Sequence, residues 1–241
     1  MTEQSALRHQ AEKFADELTR TTQAVAPDAN PFEALGVNDR LVVRQNPDEG
    51  IALTVKGEVL MFLKANFHCT WDHVNEYLTV EKSGISVYAV KPTGQPIIRY
   101  EYERDARSVP ASHMHVHAHR DSLTYMMAKA GVETQRAERR AISGEVPSLQ
   151  DLHLPLGGHR FRPALEDVLE MLIDEFGVDH PEGSFEVLRA ARERWRLIQT
   201  RAAVRDAPQA AIDALESLGY TVSWSGVSGE PDPRRGRLRA R

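Results

Sequence analysis

The stretch from Arg40 to His119 decides the fold: RLVVRQN (40–46), IALTV (51–55), EVLMFLKANFH (58–68), EYLTVEK (76–82), ISVYAV (85–90), PIIRYEYER (96–104) and SHMHVHAH (112–119). These runs are rich in β-branched and aromatic residues. They are separated by NPDEG, KG, CTWDHVN, KSG, KPTGQP and DARSVPA, whose Gly, Pro, Asn, Asp and Ser are the residues that close tight turns. Connections this short join antiparallel neighbours, so six or seven strands form a meander. The result is a strongly twisted sheet or a partly closed barrel, one face of which needs a helical layer.

Helices flank this region on both sides. Leu7, Ala11, Phe14, Leu18 and Val25 recur at helical spacing and Pro27 stops the run, which predicts an N-terminal helix within residues 1–26. Its apolar seam suits packing on the sheet or pairing with a second copy as a homodimer. After the last strand, Asp121 or Ser122 can cap a helix through Ala130. The charged ETQRAERRAISGE then leads to the loop LHLPLGGHRFRP. Pro163 suits a first helical position before the stripe Leu165, Val168, Leu169, Leu172, Ile173 and Phe176, with Gly177 as the cap. A further helix begins at Ser184 and carries Leu188, Ala191, Trp195, Ile198 and Ala202, and Pro208 opens a short last one ending at Leu218 and Gly219.

The expected architecture is therefore α+β: one domain over 1–222, with a sheet over 40–119 and a helical part over 121–219. A basic tail over 223–241 is read as disordered.

Composition narrows the function classes. Of 241 residues, 41% are hydrophobic and 27% charged, which is ordinary for a globular chain. No apolar run approaches the roughly 18 residues of a membrane span, and the N-terminal MTEQSALRHQAEKFADEL has no basic-then-apolar leader pattern, so a cytoplasmic location is expected. Cys69 is the single cysteine, which excludes an internal disulfide and any cysteine-built zinc site. The net charge of −5 conceals an asymmetry: residues 184–241 carry 11 Arg/Lys against 7 Asp/Glu, and the remainder carries 19 against 28. Such a split can steer an anionic partner to one end, although it falls short of a dedicated nucleic-acid binder. No repeat, phosphate loop or dinucleotide fingerprint is present.

The chemical signal is the histidine row. His113, His115, His117 and His119, four of ten histidines, alternate with Met114, Val116 and Ala118. On a strand the imidazoles share one face and the apolar residues the other, so the row is expected to look outward from the core. Side chains at i and i+2 lie about 7 Å apart, whereas His113 and His119 are about 20 Å apart, so one divalent metal can use only part of the row. His113, His115 and His117 are its candidate ligands, with His68, Asp72, His73 and His153 as candidates from elsewhere.

Three readings of the row stay open at this point. A metal centre is the first. Metal-free acid/base chemistry on a phosphodiester is the second, with His115, His117 and His153 as proton carriers and Arg120 or Arg99 stabilising the developing charge. The third is a polar strand face without catalysis, as in a protein- or nucleic-acid-binding regulatory module. Arg189, Arg192, Arg196 and Arg201 could form a basic ridge for RNA or DNA, although Glu186 and Glu193 can pair with them. His159 lies in the same loop as His153, and Cys69, beside His68, reads as an inert thiol.

One set of residues resembles a known family. Ile98-Arg99-Tyr100, the HxH of His115 and His117, Arg160-Phe161, and a helix ending Asp174-Glu175-Phe176 follow the order found in TumE-like toxins of toxin–antitoxin pairs. This chain departs from them by extra helices at both ends and by four histidines rather than two. The resemblance implies a growth-inhibiting toxin that acts on RNA as a ribonuclease, is neutralised by an antitoxin, and has His115 and His117 in its active site. A metal-dependent hydrolase or oxygenase of a small molecule is the further alternative.

Overall fold

The computed structural model describes residues 3–37, 40–72, 76–89, 91–117, 142, 154–156, 160–226, 229 and 231–240. Among these, the chain is α+β: an N-terminal helix α1 (Glu3–Gln23), an antiparallel sheet, and C-terminal helices. The strands are β1 (Phe32–Val37), β2 (Arg40–Gln45), β3 (Ile51–Val55), β4 (Glu58–Trp71), β5 (Leu78–Ala89), β6 (Ile98–Glu103), β7 (Ser112–Val116) and the two-residue β8 (Leu154–Pro155). They pair in the order β1-β2-β4-β5-β6-β7-β8, with β3 also on β4, so the sheet is open, with β1 and β8 at its two ends.

The long strand β4 organises the sheet. Its first half pairs with β3 and its second half with β2 along one edge, while β5 pairs with its other edge from Met61↔Ala89 to Trp71↔Leu78. The hairpin joining β3 to β4 turns on Lys56 and Gly57, both at positive φ (54° and 79°), as a two-residue hairpin loop matched to strand twist requires. Asp179, far along the chain, accepts both backbone N–H groups of this turn, at 2.9 and 2.7 Å.

Two parts of the sheet differ from the sequence expectation. KSG does not break the chain: Ser83 and Gly84 lie inside β5, where Gly84 pairs with Asn66 on one side and Glu101 on the other. Ladder hydrogen bonds on both edges hold a glycine extended that local propensity would place in a turn. The chain before Arg40 also forms β1, because pairing from Phe32↔Gln45 to Val37↔Arg40 extends the meander by one hairpin.

One face of the sheet is apolar: Val43, Leu63, Ala65, Phe67, Ile85 and Val87 are buried on it. Helix α1 covers this face with Ala11, Ala15 and Leu18, and Phe14 meets Phe67 edge-on at 5.2 Å between ring centres. Its apolar seam thus packs within the chain.

Helix α2 (Leu165–Phe176) adds Leu165, Val168, Leu169, Leu172 and Ile173 to the same core, whereas Phe176 is 41% exposed and lies outside it. Pro163 precedes the N-cap residue Ala164 instead of opening the helix, and the Asp167 carboxylate reaches back to accept the Ala164 N–H at 2.9 Å. Gly177 caps the helix in the left-handed region at φ 68°.

Helix α3 (Ser184–Asp206) buries Leu188 and Ala191, but Ile198 is 51% exposed: the helix leaves the core after its first turns. It is followed by α4 (Pro208–Ser217) and α5 (Arg235–Leu238). Where composition predicts a disordered tail, Arg234 instead docks on the end of α3, its N–H donating to Asp206 O at 2.9 Å. The buried Asp206 carboxylate is 2.7 Å from Arg160 Nε and 3.7 Å from Arg234 Nη1. The helix expected from Asp121 or Ser122 to Ala130 and the ETQRAERRAISGE connector lie outside the described residues, Ile142 apart. Among those described, no helix is long and apolar enough to cross a membrane.

Two outcomes follow from this packing. Leu63 is fully buried in mid-sheet, so Leu63→Ala is expected to lower stability by about 2–5 kcal/mol, read from urea unfolding. Glu166 in the first turn of α2 is also buried, and burial pushes its carboxyl up to about 6. A raised folded pKa means the folded state holds its proton more tightly, so stability falls as pH rises from about 4.5 to about 6. Glu166→Gln should therefore gain about 1–2 kcal/mol on the wild type between pH 4 and pH 7. A gap between the two proteins that does not change with pH would refute that assignment.

Candidate metal centre

The face of the sheet opposite the helices is polar, and register decides what meets on it. Asn66, Gly84, Glu101 and His113 lie directly across from one another on β4, β5, β6 and β7. One step along, Lys64, Ser86, Arg99 and His115 form the next row. The alternation within β7 is as the sequence reads it, since Met114 pairs with Tyr100 and Val116 with Ile98 on the helix-covered side. The imidazoles, however, do not look out into solvent: His113 and His115 are each only 4% exposed.

Their partner is Glu101. Its Oε2 lies 3.1 Å from His115 Nε2, 3.5 Å from His113 Nε2 and 3.1 Å from Arg99 Nη2. His113 Nδ1 sits 2.8 Å from the Pro110 carbonyl, which can only accept, so Nδ1 carries a proton and Nε2 is turned toward Glu101. An imidazole nitrogen facing a carboxylate oxygen needs a cation between them or a proton of its own, because two lone pairs repel. The carboxyl is correspondingly held well below the usual carboxylate range, by the hydrogen bonds from His113 and His115 and by the Arg99 charge, against an opposing effect of burial.

This arrangement can hold a metal ion. One donor atom from each of Glu101, His113 and His115 lies within 4.8 Å of the others. Ligands about 2.0–2.1 Å from one ion, at angles between octahedral and tetrahedral, are about 2.9–3.4 Å apart, close to the spacings around Glu101 Oε2. The hydrogen bond from His113 Nδ1 to a carbonyl is the support that metal-bound histidines ordinarily carry. Two imidazoles and one carboxylate suit zinc or ferrous iron and leave coordination positions open.

The other expected residues fall into three groups. His117 stays beside the cluster: its ring stacks on His115 at 6.3 Å between centres, and its backbone N–H donates to Ile97 O at 2.9 Å. It is not in the three-residue donor set. Arg99 joins the cluster directly. His119, Arg120, His73, His153 and His159 lie outside the described residues.

Others are brought elsewhere. His68 is on β4, three strands and about 14 Å from β7, and burial together with Lys82 and Arg40 lowers its pKa. Asp72 shapes the turn after β4, its Oδ1 accepting the N–H groups of Glu76 and Tyr77 at 2.9 and 3.1 Å. The buried Cys69 thiol is pushed up to about 12 by burial, which leaves it protonated and unreactive.

The arginine ridge on α3 is divided. Arg192 pairs with Asp167 at 2.7 Å and with Glu170, tying α3 to α2, and is thereby withdrawn from any nucleic-acid contact. Arg189 lies over the Phe185 ring at 5.9 Å, and Arg196 is exposed.

Glu101 is the residue that sequence reasoning missed. The signal was present in PIIRYEYER, where Arg99, Glu101 and Glu103 alternate with Ile98, Tyr100 and Tyr102. Finding it required the β6–β7 register, which the loop between these strands sets. No protein-family model, curated protein or solved structure matches this chain.

Tag-free protein reconstituted with zinc is expected to hold one ion per chain, counted by elemental analysis after desalting. Glu101→Gln and His115→Ala should each lower zinc affinity by at least ~100-fold. Affinity unchanged in both variants would remove these side chains as ligands.

Proposed function

We propose that the protein is a metal-dependent hydrolase of phosphodiesters, with RNA as the substrate class, and that Glu101, His113 and His115 hold its one divalent ion. The observation that carries this reading is the convergence of three donor atoms on a buried point of the sheet. A bound divalent ion in such a site activates a water and polarises a phosphoryl oxygen. The side chains supply the remainder. On loss of the Nε2 protons that face Glu101, His113, held at Nδ1 by Pro110, and His115 would each offer a lone pair to the ion, and Glu101 would provide the negative charge that selects a dication over a monocation.

Arg99 stands directly across from His115 with its side chain 36% exposed, where a guanidinium can meet charge developing on phosphate. His117, stacked against His115, is the proton carrier for the departing oxygen.

Zinc- or manganese-loaded protein is expected to cleave single-stranded RNA and bis(p-nitrophenyl) phosphate, with turnover reduced ~1000-fold or more in Glu101→Gln at unchanged melting temperature. Arg99→Ala should retain metal but lose ~100-fold in rate. Cleavage that persists in excess chelator yet disappears in His115→Ala would move the chemistry to metal-free acid/base catalysis. Metal bound at one per chain with no turnover of either substrate would overturn the hydrolase.

A further inference from the structure

On the other side of the sheet lies a cavity of about 460 Å³, bounded by α1, by β4, β5 and β6, and by α3. Its chemistry is unlike that of a core void. Eight of its lining residues are arginines, against three carboxylates, Glu17, Asp72 and Glu166. Its floor is apolar and includes Leu18, Phe67, Ile85 and Leu165, while Ile198, Arg194, Arg201 and Arg205 stand exposed at its mouth. We propose that this cavity binds a nucleoside di- or triphosphate, the base entering toward the apolar floor and the phosphates lying on the arginines.

The guanidiniums are built in rather than scattered. Arg162 lies over the Tyr102 ring at 3.8 Å and the Trp195 ring at 4.9 Å, so two aromatic contacts fix its guanidinium in the cavity wall. Arg160 is oriented from behind by the buried Asp206, and Arg104 donates to Thr79 Oγ1 at 2.8 Å. Arg205 rests on Tyr77 at 5.1 Å. The docked C-terminal segment brings Arg234 and Arg237 to the same cavity.

Like charges gathered in a partly dry space repel one another. Burial pushes Arg162 down to about 10, with the Arg160 and Arg104 charges acting in the same direction. An anion of two or more charges relieves that repulsion, and a single carboxylate leaves most of it in place. The volume falls in the range of small-molecule sites, and an apolar floor beneath a cationic mouth matches a ligand with a flat base at one end and phosphates at the other. The residues concerned face away from Glu101, His113 and His115, so this site does not depend on the hydrolase reading.

The test is titration calorimetry of the full chain with ATP, ADP, AMP, adenosine and inorganic pyrophosphate, one at a time. ATP or ADP is expected to bind at one per chain and more tightly than AMP by about tenfold or more, with adenosine weaker still. Arg201→Glu and Arg205→Glu are mouth substitutions that leave the floor intact, and each should weaken ATP by about tenfold or more at an unchanged melting temperature. The double variant Glu101→Gln/His115→Ala should bind ATP as the wild type does.

Four results would overturn the proposal. They are no nucleotide bound at millimolar concentration, pyrophosphate bound as tightly as ATP, binding insensitive to both mouth variants, and capture of an RNA oligonucleotide with no affinity for mononucleotides.

Discussion

The pairing of β4 is the constraint on which the remaining structure depends. With β5 along one edge and β2 and β3 in succession along the other, its side chains have no freedom of facing. Leu63, Ala65 and Phe67 go to the helices, and Lys64, Asn66 and His68 go to the opposite side. A slip of one residue anywhere in this ladder would exchange the two sets. The same rule carried two strands further, through β5 and β6, places Glu101 opposite His113. The cluster is therefore a consequence of sheet register, not of any local sequence motif.

That origin explains how much could be read in advance. Strand-forming runs, hairpin breakers and the helical stripe of Leu165, Val168, Leu169, Leu172 and Ile173 are local patterns, and they recover the α+β architecture. The alternation within HMHVHAH likewise separates Met114 and Val116 from the imidazoles. What is not local is missed. The continuity of β5 through Gly84 comes from neighbours on both sides, and the burial of His113 and His115 contradicts the expectation of an outward row. The contacts of Arg160 and Arg234 with Asp206 join distant parts of the chain, and neither arginine announces them. A residue's role at a register position or a charge junction is set by what the fold brings opposite it.

The sheet thus separates two chemistries by the thickness of one layer. The polar face gathers two imidazoles and Arg99 around the Glu101 carboxylate, at a point set by register. The helix-covered face combines an apolar core with an arginine-lined cavity at its margin, many charges of one sign and much aromatic surface. The sequence asymmetry, an excess of basic residues after Ser184, has its structural counterpart in that cavity, because α3 and the tail deliver five of the arginines that line it.

The clasp on the β3–β4 turn is long-range in sequence. Lys56 and Gly57 form their turn from neighbouring residues, on the microsecond timescale of hairpins, but the carboxylate that holds both N–H groups is 123 and 122 positions away. The clasp therefore couples the tip of a local hairpin to the segment that follows α2. Asp179 is thus a latch on the β3–β4 hairpin: its carboxylate accepts the two turn N–H groups while its own N–H donates to Thr54 O at 2.7 Å.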